Sequence, residues 1–437
     1  MRLDRKKLFI FCTGILLIVL AIVILGKRKD RTNQNDTSDR TLSLNFKLNN
    51  EMSDFPGIEK MDARVQKYMS YWHLNGTQLA VIRNDSLVFC KGYGICDSCP
   101  TPENPDSTLA MGPGNIMRVA SVSKLITAVG IMKLQEEGRL RLDDQVFGPE
   151  GILCDSTYAI PEKSLKDYSK ITVEHLLRHQ AGFRRDPVFS ALDVTKQLGL
   201  ENPPTLGDYC GLVLNRKLRF APGKSNSYSN FGYMLLTEII ERVSGEEYEE
   251  YIRKHVLEPC GCYDMHIANN YYEEKYPNES RYFVHEGDGK VVQEYNGSGR
   301  MVERCYGGND INLLKGAGAW VCSAAELALL VASIDGKPGL EDILLPESVE
   351  EMLWCRRKED YAIGWNETNP RKGWIRTGTL AGTNAVIKYF PDGECWIFLS
   401  NTSTWKGPNH FRYTSQLFDK LRRDYSGKIP SRNLFEI

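Results

Sequence analysis

Charged residues are missing from Leu8 to Gly26, nineteen positions dominated by Leu, Ile, Val and Phe. Arg2, Arg5, Lys6 and Lys7 precede this run and Lys27-Arg28-Lys29 closes it. About 20 apolar residues cross a bilayer as a helix, so the length suffices for a span. A cleavable leader would end in a small-residue site of A-x-A type, whereas this run ends Ile22-Val-Ile-Leu-Gly-Lys27. Arg31 to Asn50 is polar, rich in Asn, Thr, Ser, Asp and Arg, and lacks helical periodicity. The expectation is a cytoplasmic tail over 1–7, an uncleaved single-pass anchor over 8–26 and a stalk over 27–53. Both flanks of the run are basic, so charge alone does not orient it.

Beyond the stalk the pattern changes. Ile58, Met61, Val65, Met69 and Trp72 recur at three- and four-residue steps and mark one apolar face of a helix. Two strand-like runs follow, Thr77–Arg83 and Ser86–Gly92, joined by Asn84-Asp85, a pair suited to a tight hairpin. The same pattern returns near the other end, with strands Asn384–Phe390 and Cys395–Ser400 around a Pro391-Asp-Gly393 turn. A final helix over about 409–425 offers Phe411, Leu417, Phe418 and Leu421 to a core. Strands at both ends with helical patterns between them predict an α/β (α+β) fold. Its antiparallel sheet, flanked by helices, is formed from N- and C-terminal segments. A mostly helical region over about 138–310 is inserted between them. The folded domain is placed at 54–425, followed by a C-terminal tail over 426–437.

Composition narrows the functional classes. Apolar residues at 42% and charged residues at 25% are ordinary globular usage and exclude a largely disordered chain. With 55 basic against 56 acidic residues there is no electrostatic footprint for nucleic acid. Twelve cysteines include the close pairs Cys96/Cys99 and Cys260/Cys262. The seven histidines do not complete a zinc site at matching spacing, so no metal and no cofactor are expected. Small buried thiols, with some disulfides if the domain is exported, are the expected use.

Chemistry concentrates in three short motifs. Ser121-Val-Ser-Lys124 puts a hydroxyl and an amine on one helix face, one turn apart, at a helix start whose partial positive charge favours an oxyanion. Serine is a weak nucleophile alone, and a neighbouring lysine can take its proton. Ser403-Thr-Trp-Lys406 has the same spacing, but Gly407-Pro408 denies it a helix. The second motif is Tyr228-Ser-Asn230, after a Pro-Gly turn and before an apolar helical run. Tyrosine can relay a proton and asparagine can orient lysine and substrate. Tyr276-Pro-Asn278 matches in type but sits among polar residues that read as a surface loop. The third is Arg376-Thr377-Gly378 on a strand edge, with the N–H of Thr379 a candidate second oxyanion donor beside that of Ser121.

In this order, the motifs resemble the active-site set of the serine β-lactamase and penicillin-binding protein superfamily. Ile171-Thr-Val-Glu-His-Leu-Leu-Arg-His-Gln-Ala-Gly-Phe183, Phe220-Ala-Pro-Gly223, Tyr228-Ser-Asn-Phe-Gly-Tyr233 and Gly138–Asp144 are similar to the class C β-lactamase and D-alanyl-D-alanine carboxypeptidase branch. The resemblance spans about 58–425. It implies acyl transfer through a Ser121 acyl-enzyme, with Lys124 and Tyr228 handling protons and Asn230 orienting. The N–H groups of Ser121 and Thr379 would hold the oxyanion, and Arg376, Thr377 and Gly378 would bind substrate. Two departures stand out. Arg376 replaces the usual Lys or His, keeping charge and a carboxylate grip but no useful proton. Ala181 replaces the usual small hydroxyl residue. His175 and His179, one helical turn apart, occur in the family segment without a metal.

The resemblance implies a small-molecule or peptide substrate bearing a carboxylate, with amide or ester cleavage in a cell-wall or β-lactam context. An esterase or D-amino-acid peptidase is an alternative within the same family. A penicillin-binding sensor that keeps its adduct is the rival from another class. An anchored body suits an envelope substrate, which places the domain outside the cytoplasm, periplasmic or at the cell surface. The sequence leaves the oligomeric state open.

Overall fold

The computed structural model describes residues 42–98, 104 and 107–437. The expected tail and anchor over 1–26 lie outside the described residues, and among those described no helix is long and apolar enough to cross a membrane.

Along the chain, α1 (Ile58–Trp72) leads into β1 (Gly76–Arg83), β2 (Ser86–Ser98), β3 (Thr108–Ala110) and the short β4 (Met117–Arg118). Helix α2 (Ser123–Glu136) opens the inserted region. That region contains α3 (Glu162–Tyr168), α4 (Val173–Leu177), α5 (Ala191–Leu198), α6 (Leu206–Leu214), α7 (Asn230–Ser244) and α8 (Tyr248–Ile252). After β5 (His266–Ile267), β6 (Val291–Gln293), β7 (Met301–Glu303) and β8 (Trp320–Cys322) come α9 (Ala324–Ala332) and α10 (Pro346–Leu353). The chain then returns to the sheet through β9 (Glu367–Asn369), β10 (Gly373–Leu380), β11 (Thr383–Tyr389) and β12 (Glu394–Ser400), and α11 (Phe411–Tyr425) follows.

The seven-stranded sheet has the order β3-β2-β1-β12-β11-β10-β9. Its two halves join where β1 pairs antiparallel with β12, from Thr77 opposite Ser400 to Arg83 opposite Glu394. The Asn84-Asp85 hairpin forms as the sequence predicts, both residues taking the left-handed φ (49° and 55°) that a tight two-residue turn demands. Successive side chains of β1 serve opposite cores. Leu79 and Val81 meet α1 and α11 through Met61, Val65, Phe418 and Leu421. Ala80 and Ile82 face the larger core that contains α2, α7 and α9. Burial on both faces explains why these strands read as continuous apolar runs rather than alternating ones.

Helix α2 is buried all round, as its lack of a polar face predicts. Gly130 makes this possible, because a Cβ there would stand 2.4 Å from Ile252 Cδ1 of α8.

Three expectations need correction. Residues 42–53 are not stalk: Leu44 and Leu48 are buried, Ser43 Oγ donates to Glu326 Oε1 at 2.6 Å and Asn45 Nδ2 to Asp264 Oδ2 at 2.9 Å. The polar residues that read as solvated linker satisfy buried carboxylates instead. Residues 426–437 are likewise no loose tail, since Ile429 and Leu434 are buried and the Leu434 N–H donates to Leu87 O at 2.9 Å. The segment around Tyr276-Pro-Asn278 is not a surface loop either, because Glu279 and Ser280 beside it are buried and Ile116 forms a bridge to Glu279. The cysteines among the described residues are unpaired thiols, nearly all of them buried.

Candidate active site

A strand–turn–helix unit carries the nucleophile candidate. Strand β4 ends at Arg118, Ala120 takes φ 49°, a single 3₁₀ turn spans Ala120–Val122, and α2 begins at Ser123. A left-handed alanine is strained, and such strain persists where the surroundings fix the backbone. Ser121 therefore stands in the turn that feeds α2, with Lys124 one turn on.

Lys124 is fully buried and its Nζ has three oxygen partners. It donates to Ser121 Oγ at 3.4 Å, to Asn230 Oδ1 at 2.8 Å and to the carbonyl of Ala317. Ala317 is aimed there by an irregular stretch in which Lys315 takes φ 38° and Gly316 lies so close to Thr127 and Tyr248 that a Cβ would clash. Nζ also lies 5.0 Å from the ring centre of Tyr228. Burial holds the Lys124 ammonium below its ordinary pKa, with the Arg376 cation pushing the same way and Tyr228 opposing. Tyr228 shifts in the same direction. Burial alone would raise its hydroxyl, but the Lys124 and Arg376 cations, with the Ser121 side chain, outweigh it and lower it. One serine hydroxyl is thus flanked by an amine and a phenol that each hold a proton less tightly than usual.

The loop bearing Tyr228 is held by His179. Nδ1 of this buried histidine accepts the Ser229 N–H at 3.2 Å, its carbonyl accepts the Ser227 N–H at 2.9 Å, and its ring packs 4.3 Å from that of Tyr228. Ser229 then caps α7, so Asn230 is the first residue of that helix and projects toward Lys124. His175 does something different: its Nδ1 accepts the Thr172 N–H in a capping box at the start of α4. The two histidines do not converge on a shared ligand.

Strand β10 closes the site from the sheet side. A Cβ on Gly378 would stand 2.1 Å from the Val119 carbonyl and 3.0 Å from the Ser121 nitrogen, so only glycine lets the strand lie against the nucleophile turn. Thr379, one residue on, pairs with Asn384 of β11. Thr377 is fixed by Asn366, whose Oδ1 accepts from its N–H at 2.7 Å and its hydroxyl at 3.2 Å. Arg376 is fully buried, and its Nε and Nη2 both donate to the Ser121 carbonyl, Nε at 2.9 Å. The expected open fork for a substrate carboxylate is therefore turned inward. Its charge acts on Lys124, Tyr228 and His179.

Of the residues expected from sequence, Ser121, Lys124, Tyr228, Asn230, Arg376 and Gly378 lie together here, and Thr377 and Thr379 flank Gly378 on β10. Sequence reasoning missed His179 as a support for Tyr228, Asn366, the Ala317 carbonyl and Asp186, whose Oδ2 accepts the Asn230 and Phe231 N–H groups. Asp186 sits in a polar Arg-Arg-Asp-Pro turn that gives no periodic signal. A groove of about 1050 Å³ bounded by His73, Arg281, Lys290 and Arg304 lies elsewhere, so cavity size alone would misplace the chemistry.

Comparison with known proteins identifies the family and the fold. The Beta-lactamase family model matches residues 61–417. A protein of Bacillus subtilis (strain 168) named putative penicillin-binding protein PbpX is 24% identical over 415 residues, 91% of this chain and 90% of that one. Among solved structures, EstCE1, a hydrolase with promiscuous acyltransferase activity, superposes with a TM-score of 0.62 at 19% identity, covering 83% of this chain and 97% of the other. The D-amino acid amidase of Ochrobactrum anthropi SV3 gives 0.61 at 17% identity, covering 84% and 97%. The chain belongs to the Beta-lactamase family.

Proposed function

We propose that this chain is a serine hydrolase that cleaves amide or ester bonds in small-molecule or peptide substrates by acyl transfer through Ser121. The observation that carries the reading is the buried Lys124 Nζ, held among Ser121 Oγ, Asn230 Oδ1 and the Ala317 carbonyl. A buried ammonium is costly, and this one sits beside a phenol able to share its proton. As Ser121 Oγ attacks the acyl carbon, its proton passes to the Lys124–Tyr228 pair. The carbonyl electrons move onto oxygen, which the N–H groups of Ser121 and Thr379 receive. Collapse expels the leaving group with a proton from the Tyr228 side. Water then repeats the sequence on the ester. Asn230 keeps Nζ in place throughout.

Ser121→Ala should lower kcat by at least ~10³-fold, as loss of a nucleophile commonly does. Wild-type-like turnover by a purified Ser121→Ala protein overturns the reading. Incubation with a fluorescent penicillin, followed by mass spectrometry over time, distinguishes a persistent adduct from rapid hydrolysis.

We also propose that residues 8–26 anchor the domain to a membrane, supported by their charge-free apolar run. Carbonate-resistant membrane association that is lost on deleting 1–26 is the expected result. Full extraction of the intact chain by carbonate overturns it.

A further inference from the structure

We infer that Asp186 binds a protonated amino group on the acyl side of the substrate, so that the site favours aminoacyl amides and esters with a free amine. This rests on the acyl-transfer reading and adds a substrate class to it. Asp186 is exposed, and its Oδ2 accepts the backbone N–H of Asn230 at 2.5 Å and of Phe231 at 3.2 Å. The side chain of that same Asn230 holds Lys124 Nζ at 2.8 Å. One residue therefore separates this carboxylate from the acyl-transfer machinery. Lys124 feels it, Asp186 being one of the groups that raise its proton affinity against burial.

The carboxylate is incompletely used. Oδ1 has no hydrogen bond and Asp186 forms no ion pair among the described residues. Its sequence neighbours are turned away, Arg184 Nε donating to the Lys217 carbonyl at 3.3 Å and Arg185 Nη1 to Gln197 Oε1 at 3.1 Å. Both site cations are committed elsewhere, Lys124 to its three oxygens and Arg376 to the Ser121 carbonyl. Both cations are buried, and the formal charge that Asp186 exposes beside the start of α7 is negative. An α-ammonium lies only two bonds from the carbonyl carbon under attack, so an aminoacyl group presents its cation close to Ser121. A charge-assisted hydrogen bond to Asp186 would fix the acyl group in that orientation.

The test compares alanine p-nitroanilide, in both enantiomers, with the N-acetyl form, and uses p-nitrophenyl acetate to register Ser121-dependent turnover. The free amine should raise kcat/KM about 10- to 100-fold over the N-acetyl compound for at least one enantiomer. That preference should fade above about pH 8, where the substrate amine loses its proton. Asp186→Asn keeps a side-chain acceptor for α7 and should collapse the ratio toward one. Equal rates on the two anilides, or cleavage of neither while the acetate is turned over, overturns the inference and leaves acyl transfer standing. So does an Asp186→Asn variant in which both rates fall alike, which would mark a role in holding α7. Absence of any Ser121-dependent turnover overturns both readings.

Discussion

The ring of His179 lies 4.3 Å from that of Tyr228, and the same histidine accepts the Ser229 N–H through Nδ1. One residue in a left-handed conformation (φ 57°) thus supports both the face of the phenol and the backbone that carries it. Burial, together with Lys124 and Arg376, holds its pKa well below the ordinary histidine value, so the ring is neutral and carries its proton on Nε2. His179→Ala should lower kcat by tenfold or more and reduce stability by about 3 kcal/mol, the scale of removing a buried ring. His179→Phe should regain most of the stability while kcat stays low, since it refills the space without an acceptor for Ser229. Thermal melts alongside steady-state kinetics check this, and a His179→Phe variant as active as wild type would refute it.

Arg376 tunes protons without touching them. It lowers both Lys124 and Tyr228, so removing its charge must raise both. The competent enzyme needs a proton acceptor beside Ser121, which gives a kcat/KM that rises with pH as the pair loses its proton. In Arg376→Ala that rising limb should therefore move to higher pH. Arg376→Lys should restore most of the position of the limb, although one amine cannot reproduce the guanidinium's two bonds to the Ser121 carbonyl. Profiles recorded with a substrate that does not titrate decide the matter, and an unmoved limb in Arg376→Ala rules the tuning out.

These two residues also show where sequence reading succeeds and where it stops. The helix face from Ile58 to Trp72, the Asn84-Asp85 turn and the strands at both ends were legible because periodicity and turn chemistry are local. Ser121, Lys124, Tyr228 and Asn230 were legible as a set because each motif keeps its own spacing. The direction of Arg376 was not, because its partner, the Ser121 carbonyl, lies 255 positions away along the chain. Ser43 and Asn45 read as linker for the same reason. Their polarity serves Glu326 and Asp264, more than 200 positions distant.

Gly378 is where β10 touches the nucleophile turn. A methyl group there must displace the Val119 carbonyl, whose oxygen would be 2.1 Å away, and that contact is backbone with no side chain to swing aside. Gly378→Ala should therefore widen the gap between Ser121 and Thr379 and misplace the oxyanion donors. Loss of one such donor costs about 10²–10³ in kcat. The expected signature is a fall in kcat of that order with a smaller change in KM, and normal kinetics in Gly378→Ala would show that β10 does not set this geometry.

Glu326 is fully buried, and burial pushes its carboxyl up to about 7 despite hydrogen bonds from Ser43 and the Tyr263 and Asp264 N–H groups. Asp335, close to Asp85, is raised in the same direction, chiefly by burial. In the unfolded chain such carboxyls titrate near 4. Between about pH 4 and 7 these two carboxyls therefore bind more protons in the folded chain than in the unfolded one, so their contribution to stability falls as pH rises through that window and levels off above it. For Glu326 the shift corresponds to at most ~3 kcal/mol. Glu326→Gln removes the titration while keeping an acceptor for Ser43. The urea midpoint of this variant relative to wild type should rise between pH 4.5 and 7.5. Parallel curves for the two proteins would mean that the N-terminal segment is docked on a carboxylate already ionised throughout that range.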